Sequence, residues 1–330
     1  MKKATKTSFV ALTLAMALVG VVSAKEQFFG GLGAYERKVT TNSREAQRYF
    51  NQGLAFVQGF NDVEAIRSFQ EAARLDPKCA MAHWGIALAC GPNINLPWVL
   101  PSLAQLERSE LRLAQENAGQ VSPVEQDLIK ALSHRYANPQ PEDRAVLNQA
   151  YADAMRKVWQ SYPNDPDVGA FFAEAMMDLR PWDQWNSKGQ PNPGTEEILA
   201  TLETVLKLYP RHPFANHLYI HAVEASPHPE RAYKAANRMR TLQPGIGHSV
   251  HMASHIDIRC GRWQEAIDTS LKAVAADRRY RKVAGPPVGI MEDYVAHDHH
   301  MLAFAAMMTG QRKLAMTHVR AMVAELSPDD

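Results

Sequence analysis

The chain has 330 residues, 46% of them hydrophobic and 22% charged, a balance that supports a substantial core and fits no disordered or fibrous class. Basic and acidic residues number 36 and 35, and the formal net charge of +1 gives no field that favours nucleic acid or an anionic membrane surface as a partner. Three cysteines, Cys79, Cys90 and Cys260, are an odd number, and none of the spacings suggests a disulfide framework.

Lys2, Lys3 and Lys6 precede an apolar run from Phe9 to Val22, followed by the small residues of Val22-Ser23-Ala24. This order predicts a secretory signal over residues 1–24, cut near Ala24, and a periplasmic or secreted mature chain. The apolar run is shorter than the ~20 residues that span a bilayer, and no later segment is longer, so no membrane span is expected in the mature chain.

From residue 25 onward the pattern predicts one all-α solenoid. Tyr49, Gly53 and Phe56 fall at helical spacing, Ala65, Phe69 and Ala72 fall on a second helix, and Asp76-Pro77 ends it. Residues 103–118, 122–136 and 142–161 read as helices, with Ser122 and Glu125 as a capping box. Tyr162-Pro-Asn-Asp-Pro166 aligns with Tyr209-Pro-Arg-His-Pro213, which makes 167–179 a repeat's first helix, while 181–195, rich in Pro, Trp and Gly, is a loop. Pro210 and Pro244 are 34 apart, as are Ala232 and Ala266, and turns at Gly261 and Gly310 set the frame of the last two units, with an insertion at Gly285 to Gly289 between them. Regular repeats are therefore expected at about 43–91 and 196–325, with an irregular helical part at about 92–195.

The order aromatic, Gly, aromatic, Ala, Phe, Ala, Pro resembles the tetratricopeptide repeat (TPR), a 34-residue helix-turn-helix whose stacked copies make a superhelix. The resemblance implies a concave groove lined by the first helix of each repeat.

Eleven of the thirteen histidines lie in the last 120 residues. His217 and His221 are four apart on one first helix, and so are His251 and His255 on the next, which puts each pair on one helix face. Each member of one pair is 34 residues from its counterpart, so the pairs hold matching positions of adjacent repeats. One further unit places His300 and His297 in the frame, with His248 at the position of His297. Glu224 follows one turn after His221. The Tyr-Pro alignment puts Glu174 where His221 stands, with Asp178 a turn beyond.

Imidazoles at equivalent positions of helices packed ~8–10 Å apart can converge on one ion. The expected metal ligands are His217, His221, His251, His255, His297, His300, Glu224 and His248, with Glu174 and Asp178 as weaker catalytic candidates. Six histidines suit two copper ions at three each, while His217, His221 and Glu224 resemble a two-histidine, one-carboxylate iron set; copper is preferred, iron or zinc being alternatives. His83, His134, His212, His228, His299 and His318 are read as ordinary structural or solvent-facing residues. Trp84 would face the groove. Tyr219, Tyr294, Trp182 and Met252 are read as core before cavity wall.

The pattern of Met81-Ala-His-Trp-Gly, Glu174, Pro181-Trp182, His221-Ala-Val-Glu224, Gly247-His-x-x-His-Met-x-Ser-His255 and Tyr294-x-x-His297-Asp-x-His300 resembles a group of exported bacterial TPR-like proteins. It implies the fold and the pocket without an activity. No phosphate-cradling glycine loop, G-x-S-x-G elbow, H-E-x-x-H or C-x-x-C is present. The expected function is a metal-dependent oxidase or oxygenase acting on a small-molecule or peptide substrate in the groove. A metal carrier, a peptide- or protein-binding scaffold and a zinc hydrolase are the alternatives.

Overall fold

A computed structural model describes residues 26–325; the expected signal segment and its cleavage position lie outside the described residues. Fourteen α-helices and no named strand occur among them. The first repeat pairs α1 (Arg44–Gln58) with α2 (Asp62–Leu75). Side chains set both starts: Ser43 accepts from the amide of Ala46, and Asn61 accepts from that of Glu64. Gly53 lies under the Phe69 ring, where a Cβ would come within 2.7 Å of it, so the small residue sets how closely the two helices pack.

The helices α3 (Ala80–Ala89), α4 (Ala104–Asn117), α5 (Pro123–Leu132) and α6 (Ala145–Ser161) form the less regular middle. The capping box of Ser122 and Glu125 opens α5 as expected. This helix stops short of the expected residue 136, because Arg135 turns inward to donate to the carbonyl of Pro92 and to the Asp178 carboxylate. Cys79 and Cys90 flank α3, and all three cysteines are free. Trp84 is buried against Phe171 and donates to the carbonyl of Leu128, so it belongs to the core and does not face an open groove.

Four helical hairpins complete the solenoid: α7 (Pro166–Met177) with α8 (Thr195–Leu208), α9 (Pro213–Glu224) with α10 (Tyr233–Leu242), α11 (Gly247–Arg259) with α12 (Trp263–Ala284), and α13 (Ile290–Met308) with α14 (Arg312–Glu325). Pro166 and Pro213 open α7 and α9 at the first helical position, where the missing N–H costs nothing. Gly261 and Gly310 take positive φ in the turns that follow α11 and α13, as the repeat frame expects. The first helices α7, α9, α11 and α13 contact one another in succession and form the inner layer. All twelve residues of α9 are buried, which is the environment of a helix running through a core.

The superhelix closes on its own beginning. Helix α1 packs against α9, Gln243 donates to the carbonyl of Ala55, and the amide of Gly245 donates to the carbonyl of Gly31. A Cβ on Gly245 would lie 2.2 Å from the carbonyl oxygen of Gly30, so this close approach requires glycine. Arg37 adds ion pairs to Asp165 and Asp167 at 2.8 and 3.0 Å. At the level of the histidine helices the groove is therefore filled: the α1–α2 turn, with Gln58 and Phe60, is seated in it. No helix of the described residues is long and apolar enough to cross a membrane.

Candidate metal centre

The repeat frame brings the histidines together as two adjacent sets of three: His217, His221 and His248 in one, His251, His255 and His297 in the other, with potential ligand atoms within 4.8 Å of one another in each. His217 and His221 stand on α9, His248, His251 and His255 on α11, and His297 on α13. Five of the six are buried or nearly so, and His297 is half-buried.

The hydrogen bonds behind the rings settle where the protons sit. His217 Nδ1 is 2.7 Å from the carbonyl oxygen of Gln58, and His221 Nδ1 is 2.9 Å from Glu224 Oε1. Both partners only accept, so each Nδ1 carries the proton and each Nε2 of the neutral ring presents a lone pair. Those two Nε2 atoms face each other at 3.1 Å. Two opposed lone pairs at that distance repel, and a cation between them converts the repulsion into two bonds. An ion ~2.0–2.1 Å from both would subtend about 100°, between octahedral and tetrahedral values.

The second pair repeats the spacing, with one of its two rings fixed from behind. His255 Nδ1 donates to Glu224 Oε2 at 2.7 Å, and His255 Nε2 lies 3.1 Å from His251 Nε2. Behind His251 is Asp298, whose Oδ1 is 3.1 Å from Nδ1 but at an angle outside hydrogen-bond geometry. Asp298 is itself pushed far up from the usual carboxylate range by burial and by the neighbouring Asp277. A single carboxylate, Glu224, thus backs one imidazole of each set. Burial alone would raise its pKa, yet His255 and His221 outweigh burial and hold it well below the usual range.

His248 makes the case from the opposite direction. It is buried, and neither of its ring nitrogens has a hydrogen-bond partner. A buried polar group left unpaired costs about 1–3 kcal/mol, and His248 belongs to the first set, where a metal bond would satisfy one nitrogen. Burial first, then the mutual repulsion of the rings, lowers His217, His248 and His251 well below the ordinary histidine value; burial also lowers His221, against the pull of Glu224. His297 is brought down to about 3 by burial and by His255 and His300. Neutral imidazole is the form that binds metal.

Two aromatic residues wall the centre, and they are the two non-glycine residues with positive φ among the described residues: Phe60 at 54° and Trp182 at 61°. The Phe60 ring lies 4.6 Å from that of His217, 6.4 Å from His221 and 5.8 Å from His248, while Trp182 stands edge-on to His221 at 5.0 Å. Backbone held in this region costs on the order of 1–3 kcal/mol and persists where the surroundings over-determine it. Trp182 is 51% exposed and covers the centre from outside, so it is a wall and not the core residue the helical spacing suggested. Tyr294 stacks on His248 at 4.3 Å with its hydroxyl accepting from Asn95. Tyr219 and Met252 are core.

Four expected site residues stand elsewhere. Glu224 has both oxygens engaged by Nδ1 protons, behind the ligand face and not on it. His300 is exposed, with its ring 5.9 Å from that of His297, because it lies one position off the inner stripe of the long helix α13. Glu174 and Asp178 pair with the buried guanidinium of Arg135, at 3.5 and 2.5 Å. Glu174 lines a small cavity shared with Asp62 and Asn93, and Phe60 and Phe214, whose rings touch His217, line the same cavity. The histidines read as ordinary are so placed: His83 bonds Glu110 and the carbonyl of Pro77, His212 caps α9, His228 is exposed beside Glu230, and His299 and His318 bond each other at 2.7 Å.

Gln58, Phe60, Asp298 and Asp277 escape a reading of the sequence. Asp298 lies between two expected ligands, which is a signal; Gly59-Phe60-Asn61 reads as an ordinary turn and carries none.

No protein-family model matches the chain, and no curated protein does. Among solved structures it is similar to a double mutant of MamA from strain RS-1, at 13% identity over 73% of this chain and 98% of that one, with a TM-score of 0.34. It is likewise similar to the "MamA 41-end" chain of Desulfovibrio magneticus RS-1, at 14% identity over 72% and 98% of the two chains, with a TM-score of 0.33. At these values neither likeness bears on function.

Proposed function

We propose that this chain is a metalloprotein that holds two ions side by side, each on three imidazoles, and that it uses them as an oxidase or oxygenase. The observation that carries the reading is the pair of Nε2 atoms 3.1 Å apart in each set, both held as opposed lone pairs from behind by Gln58 and Glu224 in the first set, and His255 so held by Glu224 in the second. All-imidazole sets suit copper and zinc alike, and iron less well in the absence of a carboxylate on the ligand face; of the first two, copper is the one that can carry an oxidation. When loaded, such a centre supplies electron transfer and a route to dioxygen chemistry.

The chain's own residues orient and enclose it. Glu224 holds protons at Nδ1 of His221 and His255 and so keeps both Nε2 atoms aimed inward. Phe60 and Gln58 exclude water on one side, and Trp182 covers the other. Three ligands per ion leave an open coordination place, the feature that separates a catalytic from a structural site. A peptide-binding scaffold needs an open groove, and this one is filled. Rapid exchange by a carrier needs exposed ligands, and these are buried. A hydrolase that relies on a carboxylate base needs one free near the ions, and Glu224 is engaged. A periplasmic or secreted location accords with the N-terminal residues.

Elemental analysis of protein purified from its natural compartment tests the reading: two equivalents of copper are expected, lost in His221→Ala combined with His255→Ala. Stoichiometric zinc closed by four ligands, or unchanged metal in the double variant, would remove it.

A further inference from the structure

The last hairpin carries a groove of about 360 Å³ between α13 and α14, next to the histidine centre. His300, Phe304 and Met307 line it from α13, at helical spacings of four and seven that place them on one face, and Met316 lines it from α14. Met307 is 60% exposed and Met316 42% exposed. Methionine gains stability by filling gaps in a core, and neither thioether does so here. What a solvent-facing thioether offers is a soft, uncharged ligand, and beside an imidazole it favours a soft monovalent ion such as Cu(I) over zinc or calcium.

The position of His300 gives the groove a direction. Its ring is exposed on the groove side and lies 5.9 Å from that of His297, which itself lies 4.8 Å from His251 and 5.5 Å from His255. Imidazoles therefore continue without a break from the surface to the buried set. Glu224 and Asp298 stand behind the rings of that set, and Phe60 covers the adjoining set. His255 and His297 are its two partly exposed members, and His297 is the one that meets His300.

We propose that His300, Met307 and Met316 form an outer site that captures a soft monovalent metal ion and passes it through His297 to the buried imidazoles. The destination rests on the metal-holding function proposed above; capture at the groove does not. The transfer is a ligand exchange in which the ion keeps its oxidation state and each thioether or imidazole it leaves is replaced by the next ring inward.

The test uses the full chain with methionine methyl groups labelled with carbon-13 and Ag(I) as a redox-silent soft ion. Substoichiometric Ag(I) is expected to shift the Met307 and Met316 methyl resonances, assigned with the Met→Leu variants. In Met307→Leu with Met316→Leu, anaerobic loading of the buried histidines with Cu(I) is expected to slow on the order of tenfold, at unchanged final stoichiometry, while loading with Zn(II) keeps its rate. Methionine signals that stay still while the histidines take up the ion, or equal Cu(I) loading rates, would overturn the capture site and leave the buried centre standing. Shifted methionine signals with histidines that never take an ion would do the reverse. Self-association of the chain through this groove, with no methionine response to Ag(I), would likewise overturn it.

Discussion

Glu224 and His255 are 31 residues apart in the chain and 2.7 Å apart in space, and the other oxygen of the same carboxylate receives the proton of His221. One side chain thus fixes the tautomers of two rings, one in each histidine set. Glu224→Gln replaces one acceptor oxygen by an NH₂ donor, so one of the two rings must turn or change tautomer. The expected loss in metal affinity is about 10–100-fold with the fold retained, measured by competition with a chelator alongside thermal unfolding. An unchanged affinity would show that Glu224 does not orient the ligands.

His248 predicts effects of opposite sign with and without metal. In the metal-free protein, His248→Leu removes two unpaired buried nitrogens and should stabilise the fold by about 1 kcal/mol, provided the leucine packs against Tyr294 and Phe60. The same variant should lose one of two metal equivalents, and with it the stability that metal binding contributes. Urea unfolding with and without metal reads both. Destabilisation of the metal-free protein would mean that His248 is an ordinary core histidine.

Gly247 opens α11, and a Cβ there would fall 1.8 Å from Asp277 Oδ1 and 2.5 Å from its carbon. Gly247→Ala must push Asp277 away, and through Asp298 the disturbance reaches His251. The expected cost is about 1–3 kcal/mol by chemical denaturation, with the set containing His251 weakened more than that containing His217. Gly119→Ala, where a Cβ meets nothing within 4 Å, serves as the neutral control.

Acid stability depends on Asp167, which Arg37 and His212 hold in the interior. Burial alone would raise this carboxyl, but the His212 hydrogen bond and the Arg37 charge win and bring it down to about 2, against an ordinary 3.8. A folded-state value below the unfolded one contributes stability that is full above pH ~4 and is lost as the pH falls toward ~2, about 2 kcal/mol in all. Asp167→Asn should flatten the stability profile across that interval while lowering stability at neutral pH. A profile that keeps its slope would assign the acid sensitivity to other carboxylates.

The 34-residue register of His217 with His251 and of His221 with His255 is visible as arithmetic, and it carries both the repeat fold and the pairing of the rings. The choice of third partners is not. His248 and His300 both sit near the frame, and which one points inward depends on the rotation and length of α11 and α13, quantities that a repeat period does not contain. Glu224 was legible as a neighbour of the histidines but not as their support, because ligand and support share the same helical face and differ only in which ring nitrogen they meet. The contact of Gln58 with His217 joins residues 159 apart, and no local pattern encodes a superhelix closing on its first turn.

That closure has a consequence for biosynthesis. Gln58 ends α1, Phe60 follows it in the turn to α2, and His297 lies on α13, so the centre is finished only when α13 has been synthesised and the α1–α2 turn has met the histidine helices. A truncated or partly folded chain exposes isolated imidazole pairs but not the enclosed cavity. Metal loading should therefore act as a report of completed assembly, and a chain interrupted before α13 should be recognisable by its failure to retain the second ion.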